Sequence, residues 1–77
     1  MSPKLPILSG EDLIRVLQKI GYVRVRQKGS HVRMRHLTDS IRLPVTVPLH
    51  REIAFGTLRR ILRDSKVSAE ELDSYLQ

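Results

Sequence analysis

The side chains of this chain best suited to chemistry are its three histidines, His31, His36 and His50. An imidazole has an ordinary pKa of about 6.5, so at pH 7 it is substantially neutral yet able to take a proton. The chain has no cysteine, which removes thiolate nucleophiles, thiolate metal sites and disulfides. His31 stands among cations, with Arg24, Arg26 and Lys28 before it and Arg33 and Arg35 after it. An imidazole in such surroundings suits phosphodiester cleavage in RNA. The base takes a 2′-hydroxyl proton, the freed oxygen attacks the adjacent phosphate, and guanidinium groups stabilise the charge that develops. The competing reading is an exposed strand histidine with no role, and the histidine alone does not exclude it.

The other two histidines read differently. His36 lies five residues from His31, an odd separation that turns the two to opposite faces of a regular strand. They are not expected to act together. The same parity argues against a metal site built on them, and no acidic cluster stands near to complete one. Neither metal nor cofactor is expected. His50 follows Pro48 ahead of a helical stretch. Its preferred reading is structural, capping backbone groups or packing on a sheet; the alternative is the acid that protonates a leaving 5′-oxygen.

These residues sit in the most basic part of the chain. The formal net charge is +6, but Leu13 to Arg63 carries 12 Lys or Arg against Asp39 and Glu52 alone, while both ends are net acidic. A concentrated positive field attracts polyanions, of which nucleic acid is the commonest in a cytoplasm. Seventy-seven residues make one domain, since a chain this short buries only roughly 60% of its unfolded surface. No run approaches the roughly 18 apolar residues of a membrane span. The N-terminal Met1-Ser-Pro-Lys-Leu-Pro stretch lacks the layout of a secretory signal. A cytoplasmic location is the expectation.

The elements that must position the histidines follow from periodicity. Ser9 is a plausible N-cap with Glu11 and Asp12 in the first turn, and Leu13, Ile14, Leu17 and Ile20 recur at helical spacing up to Gly21. The period then becomes two. Val23 and Val25 alternate with Tyr22, Arg24 and Arg26; Lys28-Gly29-Ser30 supplies a turn; Val32 and Met34 alternate with His31, Arg33 and Arg35. This predicts a β-hairpin. After Thr38-Asp39-Ser40, the residues Ile41, Leu43, Val45 and Val47 predict a third strand, with Pro44 marking it as an edge or a bulge. Ala54, Leu58, Ile61 and Leu62 share one face of a second helix starting around Phe55, and Ser68 to Glu71 has capping-box spacing for a short last helix ending near Tyr75 or Leu76.

The expected fold is therefore α+β: α-β-β-β-α, a three-stranded antiparallel sheet under two helices, with a short C-terminal helix. Strict alternation sends Val23, Val25, Val32, Met34, Leu43 and Val45 inward. It sends Arg24, Arg26, His31, Arg33, Arg35 and Arg42 outward together. Like charges opposite one another on a sheet are mildly destabilising, so a face of one sign points to a polyanionic partner rather than to solvent alone. Tyr22, Phe55 and Tyr75 are the only aromatic residues, too few for a base-stacking sheet. Recognition should depend on phosphates, with strong salt dependence. Tyr22 either stacks one base or packs, and packing is the commoner fate.

Gly29-Ser30-His31, Val47-Pro48-Leu49-His50 and Gly56-Thr57-Leu58-Arg59-Arg60-Ile61-Leu62, in this order, resemble the signature segments of the HicA toxins, small RNA endonucleases paired with HicB antitoxins. The likeness runs from about Ser9 to Leu72. It departs at Phe55, where relatives often carry proline, and at Asp64-Ser65-Lys66, where they commonly carry Gln-Ala-Gly; both are helix ends. The resemblance implies a double-stranded-RNA-binding-domain-like fold and a metal-independent mRNA-cleaving toxin using a single histidine, His31. Arg24, Arg26, Lys28, Ser30, Arg33 and Arg35 are the expected RNA-binding residues, with Ser30 foremost a turn residue. A HicB-like antitoxin is the implied partner, and the oligomeric state is left open. The competing function is a noncatalytic RNA-binding module on the same fold. A DNA-binding regulator fits less well, because no helix-turn-helix pair is present.

Overall fold

Ser9 starts the first helix in the computed structural model, which describes residues 4–77. Its hydroxyl accepts from the Asp12 amide at 3.1 Å, and α1 runs Gly10–Lys19 with Glu11 and Asp12 in its first turn. Of the N-terminal stretch read for a secretory signal, Met1 to Pro3 lie outside the described residues. The hairpin follows as β1 (Tyr22–Lys28) and β2 (His31–His36), then β3 (Val45–Pro48), α2 (Phe55–Ser65) and α3 (Ala69–Leu76). The sheet is antiparallel in the order β1-β2-β3, so β2 is central and β3 an edge. This is the α-β-β-β-α arrangement expected from periodicity.

The core lies between one sheet face and the helices. Val32 and Met34 of β2 and Val45 and Val47 of β3 are buried with Leu13, Ile14 and Leu17 of α1, Leu58 and Ile61 of α2, and Leu72 of α3. Fully burying one such side chain stabilises by about 1.5–3 kcal/mol, which binds the helices to that face and leaves the other open. Among the described residues no helix is long and apolar enough to cross a membrane.

Two sequence expectations are corrected. The first concerns β1, where Arg24 is opposite Met34 but Arg26 is opposite Arg33, the register shifting between them. Opposed residues share a sheet face. Before this bulge, Tyr22 and Arg24 therefore lie on the helix side and Val23, opposite Arg35, on the outer side; Val25, at the bulge, is 48% exposed. Val23 and Val25 do not enter the core as alternation proposed. Tyr22 does, and its hydroxyl donates to the Leu43 carbonyl at 2.7 Å. One extra residue reverses the parity of a strand.

The second concerns β3, which begins only at Val45. Pro44 has no N–H for a ladder, and Leu43 directs its backbone elsewhere, its amide to the Asp64 carbonyl at 2.8 Å and its carbonyl to Tyr22. Ile41 and Leu43 are consequently exposed rather than core residues. Arg42 does not join the outer face either: it donates to the Ser65 carbonyl at 3.0 Å and pairs with Asp39. A cation near a helix C-terminus complements its exposed carbonyls. That helix ends on Lys66 at φ 60, a left-handed conformation that glycine adopts at lower cost. The Ser68–Glu71 capping box forms in full.

Candidate functional site

The site is assembled at the hairpin tip. Gly29 has φ 58, and a left-handed residue at the first of two turn positions suits the right-handed twist of the flanking strands. Lys28 and His31 are thereby opposed across the turn, and Arg26 is opposed to Arg33 further along. All four side chains lie on the outer face and are exposed. With Thr46 of β3 they line a shallow recess of about 180 Å³. The Arg33 guanidinium donates to the Thr46 hydroxyl at 3.0 Å, which orients it along the recess.

Ion pairing divides the basic residues of the sheet and its connecting loop into two groups. Arg24 reaches Glu11 at 3.6 Å on the helix side, and Arg42 pairs with Asp39. Arg26, Lys28, Arg33 and Arg35 have no carboxylate partner among the described residues. Positive charges opposed on one sheet face repel, and here no internal anion offsets them. Of the six residues expected around His31, Arg26, Lys28 and Arg33 share its recess. Arg35 lies further along the same face, Ser30 sits exposed in the turn, and Arg24 is removed to the other side by the bulge.

His50 lies close to this group. His31 is in register with Pro48, and the Leu49 amide donates to the Ser30 carbonyl at 2.6 Å. From the other side the Gly10 amide donates to the His50 carbonyl at 2.9 Å. A Cβ on Gly10 would come within 2.1 Å of the Pro48 carbonyl oxygen, so only glycine permits this approach. The His50 and His31 ring centres are 6.4 Å apart with planes at 72°. Both side chains are exposed, and neither imidazole hydrogen-bonds another group among the described residues. The capping or packing role expected of the His50 imidazole is not what this geometry provides.

His36 faces away, as its parity required. Its Nε2 meets the Ile20 carbonyl at 2.6 Å, and its Nδ1 accepts from the Thr38 and Asp39 amides at 3.3 and 3.0 Å. The ring also packs edge-on against Tyr22 at 5.2 Å. Burial holds the Tyr22 hydroxyl above the usual tyrosine range; Asp64 and Asp39 add to the rise while Arg42 opposes it. This pair ties the start of β1 to the end of β2 and takes no part in the recess.

A larger recess of about 570 Å³ lies elsewhere, lined by Leu5, Phe55, Arg59, Leu62 and Val67 among others. It is largely apolar and contains no acid–base group suited to chemistry at neutral pH. Sequence reasoning passed over Thr46 and the proximity of His50 to His31. Alternation in Val45-Thr46-Val47 already turned Thr46 outward, but the proximity of the two histidines needed the β2–β3 register. Comparison with protein families finds that a model described as the HicA toxin of bacterial toxin–antitoxin systems matches residues 10–67. No curated protein matches the chain significantly.

Proposed function

Because the chain belongs to the HicA family of bacterial toxins, we propose that it is a metal-independent endoribonuclease that cleaves mRNA, with His31 as its general base. The observation that carries this reading is the exposed His31 ring in a recess it shares with Arg26, Lys28 and Arg33, cations that no carboxylate neutralises among the described residues. A phosphate seated there has the imidazole beside its 2′-hydroxyl. His31 takes the hydroxyl proton, the O2′–P bond forms, the P–O5′ bond breaks and the departing O5′ takes up a proton, leaving a 2′,3′-cyclic phosphate and a 5′-hydroxyl end. The phosphoryl oxygens gain charge during the attack, and the guanidinium groups stabilise it more in the transition state than in the ground state. Arg35 and Ser30 extend the contact to neighbouring phosphates. Arg24, tied to Glu11, is left out of this set.

Membership of a toxin–antitoxin family implies an antitoxin. A HicB-like protein that covers the basic face would neutralise the toxin by excluding RNA from the recess. Cleavage of RNA by the purified protein, in the presence of a chelator, tests the reading. His31→Ala should lower the rate by about 10²–10⁴-fold, the usual contribution of a general base, while RNA binding and folding are retained. If wild type and mutant both bind RNA and neither cuts it, the protein is a noncatalytic RNA-binding module on the same surface.

A further inference from the structure

We propose that His50 is the general acid of the same reaction, so that cleavage uses two imidazoles rather than one; this rests on the nuclease reading of His31. The rings are 6.4 Å apart and both open to solvent. That separation leaves space for a phosphoryl group touched by both, each within the hydrogen-bond reach that proton transfer needs. In-line displacement puts the attacking 2′-oxygen and the leaving 5′-oxygen on opposite sides of phosphorus. A base on one side therefore calls for an acid on the other. The proton that His31 takes from O2′ is matched by one that protonated His50 gives to O5′ as the P–O5′ bond breaks, and exchange with water resets both rings.

The placement of His50 is built into the fold on two sides. Ser30, the residue before His31, accepts from Leu49, the residue before His50, so the two histidines are fixed through adjacent backbone. The N-terminus of α1 holds the His50 carbonyl through Gly10. The imidazole itself has no structural hydrogen bond among the described residues, in contrast to His36, whose two ring nitrogens are both engaged. Among the described residues no carboxylate lies within ion-pair distance of the His50 imidazole to compete for its proton.

The test uses the full 77-residue protein and an RNA oligonucleotide it cleaves, alongside the same oligonucleotide with sulfur replacing the 5′-bridging oxygen at the cleaved position. A thiolate leaves without being protonated, so this substrate needs a base but no acid. His50→Ala and His50→Gln should each slow cleavage of ordinary RNA by on the order of 10²-fold or more, and cleavage of the sulfur-bridged substrate should stay near the wild-type rate. His31→Ala should slow both. Unchanged cleavage of ordinary RNA by both His50 variants, or equal losses on the two substrates, overturns the acid role and leaves the His31 reading standing. Failure of the wild type to cleave either substrate overturns both.

Discussion

The two ends of the β1–β2 hairpin each carry a histidine of β2, and the two are used in opposite ways. At the end next to α1, His36 engages both ring nitrogens with backbone and packs against buried Tyr22. At the tip, His31 has no hydrogen-bond partner among the described residues, faces His50 and sits among unpaired cations. The same side chain on the same strand is structural where its polar atoms are satisfied and available for chemistry where they are not. Buried polar groups must be paired to avoid a desolvation penalty, and an exposed one can remain unengaged at little cost.

The largest expected contrast is between the two histidines themselves. His31→Ala should remove cleavage, a barrier increase of about 3–5 kcal/mol for the 10²–10⁴-fold loss, with an unchanged urea midpoint. His36→Ala should do the reverse. Losing its backbone contacts and its packing on Tyr22 should lower stability by about 2–3 kcal/mol in urea unfolding, with cleavage per folded molecule retained. If His36→Ala abolishes cleavage at temperatures where it is fully folded, the division between the two ends fails.

Gly10→Ala sharpens the comparison from outside the hairpin. Its new Cβ would press on the Pro48 carbonyl, so it should cost about 1–3 kcal/mol as overpacking does and also slow cleavage by moving His50. A loss of stability with an unchanged rate would show that the backbone at His50 need not be held. Tyr22→Phe removes a part-buried hydrogen bond to Leu43 and should cost about 1 kcal/mol at neutral pH. Because burial raises the Tyr22 pKa above the ordinary 10.0, folding favours the protonated phenol. That contribution is complete below the unfolded value and is lost as pH rises from about 10 through the folded value. Wild type should therefore lose stability in strong alkali that Tyr22→Phe keeps, measured as urea midpoints against pH. The smallest effect is Lys66→Gly, which relieves a left-handed residue at the end of α2 and should stabilise by up to about 1 kcal/mol in thermal unfolding with no change at the recess.

Element order, the Ser9 cap, the Phe55 start of α2 and the Ser68–Glu71 capping box were all legible in the chain, because each depends on residues a few positions apart. The position of His31 after a tight turn was legible for the same reason. The orientation of Arg24 was not: a bulge is a property of two paired strands, and nothing in Arg24-Val25-Arg26 alone marks the residue that drops out of register. Nor was the loss of Ile41 and Leu43 from β3, where Leu43 bonds to Tyr22 and Asp64, both about 21 residues away in sequence.

The amino-acid sequence by itself determined where helices and strands form, that the middle of the chain is basic, and that one histidine stands at a hairpin tip among cations, since local periodicity and composition are read along a single chain. Tertiary structure decided which cations remain unpaired, which residues of β1 face the helices, and that His50 comes beside His31. Those outcomes depend on the register of strands and on close backbone approaches between distant segments, which come into being only when the sheet pairs and α1 docks against the end of β3.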